Sequence, residues 1–231
     1  MIGVVRVTDP TLDAVNAIPV VGEPLAWGLG FAMLLFIVFT DSWARSLVTV
    51  AHEGGHMAMA VLTFRGHRGF TLKDGGGGAT ELIRYHWSVS DLLTTFAGYP
   101  TPCLLGLGGA AAIGHGNAWA VVWASLFLLI WSFFQAANAL ANVVTLLAVI
   151  GVGWAALAGT AYVQAAVAVG MVWWMLIGGV YYSTIALSRG DGSDAHLLAS
   201  RTLIPRIVWH AAWAAIGIAC LVAGARHMLV L

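Results

Sequence analysis

The chain has 231 residues, 60% of them hydrophobic and 9% charged, with a mean hydropathy of +0.89. An ordinary soluble domain carries about 25% charged residues, so this composition excludes one and specifies a multi-pass protein integral to the cell membrane. Ten basic residues balance ten acidic ones, which offers nucleic acid no partner surface and leaves the lipid bilayer as the expected environment.

In chain order, the stretch 1–23 is broken by Asp9, Pro10 and Asp13 before any apolar core forms. It reads as an interfacial segment and not as a secretory signal. Pro24 to Thr40 is apolar and just long enough to span, and Asp41 and Ser42 close it. A second span, Trp43 to Phe64, carries His52-Glu53-Gly54-Gly55-His56 near its midpoint. At about 100° per residue, His52 and His56 lie about 40° apart on one helical face, so both imidazoles reach one ion, and Glu53 falls beside it. Two neutral nitrogen ligands with an adjacent carboxylate are what zinc-assisted peptide hydrolysis requires, with Glu53 as general base on the zinc-bound water. Three ionisable groups on one turn at mid-bilayer, where the charged types cost about 2.5–3.5 kcal/mol on insertion scales, also call for a common partner.

The polar stretch 65–90 predicts a β-hairpin, with strands Gly69 to Lys73 and Ala79 to Tyr85 around the tip Gly75-Gly76-Gly77-Gly78. Its first strand lies close to the motif helix in sequence. An open edge there would pair an unwound substrate by strand addition, which makes Thr71 and Leu72 substrate-binding candidates. The next span starts near Asp91, must break or bend at Pro100 and Pro102, and continues through Gly106, Gly108, Gly109 and Ala110, a face suited to close helix packing. Ala118 to Ala158 is long enough for two spans. Its central amides Gln135, Asn138 and Asn142 either cap the turn between them or face the site, and Asn138 is carried as a substrate-binding candidate. Thr160 to Leu187 spans again, Ser193 is placed to cap a helix starting at Asp194, and the last span follows Pro205 to about Gly224.

Seven spans put Arg6 and the basic loops around Arg65 and Arg201 on one side, which the positive-inside rule assigns to the cytoplasm together with the N-terminus. The expected fold is thus an all-α membrane bundle of six to seven helices with a small hairpin after the motif helix, in a single domain over 1–231. Eleven Trp suit an interfacial belt, and Cys103 and Cys220, both in spans, do not indicate a disulfide.

Catalytic zinc takes three protein ligands and keeps one position open, so a third donor is required. Spacing leaves Asp194, Asp191, His196, His67, His86 and His210 open. The motif helix, Ala97-Gly98-Tyr99-Pro100-Thr101-Pro102 with Leu105-Gly106-Leu107-Gly108, and Ser193-Asp194-Ala195 with Leu198-Ala199 and Pro205 resemble small bacterial membrane metallopeptidases related to site-2 proteases. The likeness runs from about Arg45 to about Trp209 and lacks the Asn-Pro stretch common in that family. It implies Zn²⁺ held by His52, His56 and Asp194, with Asp191 the alternative third ligand, and Glu53 as the base. The activity so implied is intramembrane endopeptidase, acting on a membrane-embedded protein. A non-proteolytic subunit of a membrane complex that keeps the fold is the competing expectation. A di-iron oxygenase would need further histidine clusters, and a transporter would need charges along several spans.

Overall fold

The computed structural model describes residues 23–83, 89–185 and 193–229. The expected interfacial segment, apart from its last residue, lies outside them, as do Tyr85, His86 and Asp191. Among the described residues the order is α1 (Glu23–Thr40), α2 (Ser42–Leu62), β1 (His67–Leu72), β2 (Gly78–Leu82), α3 (Val89–Ala97), α4 (Pro100–Gly114), α5 (Ala118–Gln135), α6 (Ala139–Ala158), α7 (Ala161–Ile185), α8 (Asp194–Thr202) and α9 (Arg206–Leu229). The all-α membrane architecture with a hairpin directly after the motif helix is as the sequence indicates.

Among the described residues four to six candidate spans are found, against the seven expected. Helices α5, α6, α7 and α9 are each long and apolar enough to cross a membrane, and the total reaches six when two bent pairs count as one span each. Run length alone reads Pro24 to Phe64 as two spans, but α1 and α2 are bent by 105° at Asp41, and run length carries no direction. The bend is pinned by Arg45, which donates to both carboxylate oxygens of Asp41 at 2.8 and 2.9 Å, and by the Tyr182 hydroxyl, which donates to the Asp41 carbonyl at 2.9 Å. With each bent pair counted as one span, four spans separate the end of α2 from the end of α7. The side of the N-terminal segment changes with the count, so a cytoplasmic N-terminus does not follow from six.

The two prolines act as expected. Pro100 opens α4, where a missing N–H costs nothing, and α3 and α4 meet there at 62°. Helix α7 is the hub of the bundle, with half of its span buried. A Cβ on Gly106 or Gly109 would come within 2.7 or 2.6 Å of Leu176 or Val172 of α7, so the glycines of α4 set that close packing. Gly108 turns away from it. Not every tryptophan serves a belt. The indoles of Trp173 and Trp174 donate to the Ala26 and Ala44 carbonyls at 3.0 Å each, tying α7 to α1 and α2.

The hairpin is docked on both faces. Thr71 pairs with Ala79, and the Lys73 N–H donates to the Gly77 carbonyl, so odd positions of β1 face β2. Even positions face the α5–α6 turn: Ala137 donates its N–H to the Phe70 carbonyl at 2.8 Å, and the Asn138 side chain accepts from the Leu72 N–H at 3.2 Å and donates to the Leu72 carbonyl at 2.7 Å. Gly69, at φ 108°, lies so near the Gln135 carbonyl that a Cβ would sit 2.3 Å from its oxygen.

Candidate metal centre

The motif falls inside α2, and its two imidazoles converge as the helical spacing requires, with His52 Nε2 and His56 Nε2 3.1 Å apart. Asp194, the first residue of α8, brings its Oδ2 to 3.1 Å from His52 Nε2 and 3.4 Å from His56 Nε2. Among the described residues these are the one group of three able to hold a metal ion. Tetrahedral zinc with bonds of about 2.0–2.2 Å separates neighbouring donor atoms by about 3.3–3.5 Å. The observed triangle matches one face of that tetrahedron, and two nitrogens with one carboxylate oxygen suit zinc. The third-ligand alternatives fall away or lie elsewhere. His67 begins β1 beside Trp131, with burial lowering its pKa, His210 packs against Tyr99 and Trp213, and neither they nor His196 join the donor cluster.

Each donor is oriented by a local device. The His56 Nδ1–H donates to the Thr94 carbonyl of α3 at 2.7 Å; a carbonyl can only accept, so in the neutral ring it is Nε2 that has the lone pair, and Nε2 faces the other donors. The ring of Tyr99 meets that of His52 edge-on at 4.5 Å. Ser193 caps α8 as predicted, its Oγ accepting from the His196 N–H at 3.3 Å, which sets Asp194 in the first turn. Burial alone would raise the Asp194 carboxyl, but with no metal bound the charge and hydrogen bonds of protonated His56 and His52 outweigh it and hold the group below the ordinary carboxylate range.

Glu53 is 3% exposed and sits beside the triangle. Its Oε2 accepts from the Thr80 hydroxyl of β2 at 2.6 Å, and a Cβ on Gly78 would come within 2.5 Å of Oε1. Gly78 is therefore a strand residue pressed on the carboxylate and not part of a loose tip. The tip itself is held as well, with the Thr49 hydroxyl donating to the Gly76 carbonyl at 2.6 Å and Arg45 to the Gly75 carbonyl at 3.1 Å. Gly98, in the break between α3 and α4, approaches equally closely: a Cβ there would lie 2.5 Å from His56 Nε2. Thr80, Thr94, Gly78 and Gly98 carry no sequence signal for these roles, apart from Gly98 lying in the block that carries the family likeness.

The substrate-binding candidates are placed differently from expectation. Leu72 has both backbone groups bonded to Asn138, Asn138 also caps α6 by accepting from the Ala141 N–H at 3.1 Å, and Thr71 faces β2. The edge of β1 is thus closed, because the α5–α6 turn covers it. Alternation leaves the backbone of Gly78 and Thr80 facing away from β1, and both residues line a polar cleft of about 450 Å³ shared with His52, Glu53, His56 and Asp194.

No curated protein and no solved structure matches this chain. The family model described as Peptidase M50B-like matches residues 25–224, a stretch that runs from α1 into α9 and takes in the motif helix, the hairpin, the α3–α4 break and the Asp194 helix. A match of that extent places the chain in the Peptidase M50B-like family, the site-2-protease family of membrane metallopeptidases.

Proposed function

We propose that the protein is a zinc-dependent intramembrane endopeptidase, and that Glu53 is its general base. The observation that carries this reading is the donor triangle of His52, His56 and Asp194 with Glu53 beside it, all lining one polar cleft in an apolar bundle. Zinc held there would lower the pKa of a water molecule and polarise the scissile carbonyl. Glu53 takes the proton that the attacking water loses and returns it to the leaving amine, while Thr80 keeps the carboxylate turned toward the cleft. The cleft admits peptide only in extended form, because a helical carbonyl is already bonded within its own helix. Its occupant is a membrane-embedded segment unwound near the zinc. The edge of β2 at Gly78 and Thr80, and not that of β1, is placed to bond the exposed backbone.

The test is a cleavage assay in proteoliposomes with a panel of single-span substrates and mass-spectrometric mapping of products. Wild-type protein should cut within the span, and Glu53→Gln should lose about 10²–10⁴-fold in rate while keeping its zinc. Zinc-loaded wild-type protein no more active than Glu53→Gln on every substrate would overturn the reading.

A further inference from the structure

Helix α3 is nine residues long, and Asp91, Thr94 and Thr95 share one face because positions three and four apart are neighbours. All three bond elements that carry or adjoin metal donors. The Thr94 carbonyl holds His56. Asp91, 4% exposed, accepts through Oδ1 from Arg65, just past the end of α2, and pairs through Oδ2 with Arg201 in the last turn of α8. The Thr95 Oγ1 lies 3.4 Å from the same Arg201 nitrogen.

Three charges so placed are a poor way to obtain stability. Desolvation offsets most of the attraction of a buried ion pair, and apolar residues of similar volume often do as well. The directional bonds instead fix where α8 sits. The apolar grip on α8, from Ala195 and Leu198 against Trp213 and its neighbours, is non-directional and carries no hydrogen-bonded register of its own. A slip of one residue moves a helix by about 1.5 Å along its axis, enough to take Asp194 out of a triangle whose edges are 3.1–3.4 Å. Ser193 fixes one end of α8, and Arg201 fixes the other.

We propose that the Asp91–Arg201 pair is a positioning device for the third ligand, anchoring α8 to α3 so that the Asp194 carboxylate stays in register with His52 and His56. This rests on the metal-site reading above. The experiment titrates Zn²⁺, in competition with a chelator, and Co²⁺, by its visible absorption, into metal-stripped full-length protein in detergent. Arg201→Met keeps the apolar stem and leaves Arg65 and Asp91 paired. It should weaken zinc binding about 10–100-fold and alter the Co²⁺ spectrum, while the melting temperature of the metal-free protein moves little. Arg201→Lys should fall between Arg201→Met and wild type. A purely structural role would lower the metal-free melting temperature and leave the affinity alone. Wild-type zinc affinity in Arg201→Met overturns the proposal; if that variant does not fold, wild-type affinity in Arg201→Lys overturns it. A wild-type protein that binds neither metal overturns instead the metal-site reading on which the proposal stands.

Discussion

The Thr80 hydroxyl lies 2.6 Å from Oε2 of Glu53, so the hairpin contributes a donor to the carboxylate on the motif helix. A hydrogen bond to a charged group is worth about 1.5–3 kcal/mol, which converts to about 10–160-fold in rate if it serves only to aim the base. Thr80→Val should therefore lower kcat by that factor with zinc content unchanged. Thr80→Ser, which keeps the hydroxyl, should retain most activity. Equal rates for Thr80→Val and wild type would remove Thr80 from the mechanism.

Purified protein should carry one zinc per chain by elemental analysis. Asp194→Ala removes one of three donors and should lose that zinc through chelator-free purification, whereas Asp191→Ala should keep it. The reverse pattern would move the third ligand to Asp191.

The motif contains two glycines that the same substitution should separate. A Cβ on Gly54 meets nothing within 4 Å, while one on Gly55 would lie 2.2 Å from Thr101 Oγ1 and 2.8 Å from the Ala97 carbonyl oxygen. Gly54→Ala should keep metal and add up to about 1 kcal/mol of helix stability. Gly55→Ala should push α2 away from the α3–α4 break and lower both the melting temperature and the metal content. Gly98→Ala, crowding His56 directly, should strip metal at a smaller cost in folding. Thermal unfolding and metal analysis on the three variants check the order.

Asn138→Ala should free the hairpin from the α5–α6 turn. It orphans the Leu72 N–H and carbonyl and removes the α6 cap, at a cost of about 2–4 kcal/mol. Hydrogen exchange should accelerate across β1 and β2 more than in α9. Thr71→Pro should also disrupt the hairpin, because its N–H faces β2 and not an open edge. Unchanged exchange in Asn138→Ala would show that the clamp is dispensable.

The features legible in the sequence are those encoded within a few residues of one another. His52 and His56 announce a shared face by their spacing, Pro100 and Pro102 announce a break, and Ser193 announces the start of α8. Asp194 was reachable only through the likeness of its block to a family, since six other-wise equal donors fit the spacing. Gly78 against Glu53, Asp91 between Arg65 and Arg201, and Asn138 on Leu72 join residues 25 to 110 positions apart. No local pattern encodes such pairs. The 105° turn at Asp41 escaped for a related reason: hydropathy measures how much of a helix is apolar and is silent about where the next one points.

The amide of Asn138 grips Leu72 on one side and begins α6 on the other; Leu72 pairs with Gly78, which presses on Glu53, and Thr80, two residues along β2, bonds the same carboxylate. The α5–α6 pair and the base are in this way geared together. Any displacement of the start of α6 is therefore felt, through the paired strands, at the hydroxyl bonded to the Glu53 carboxylate.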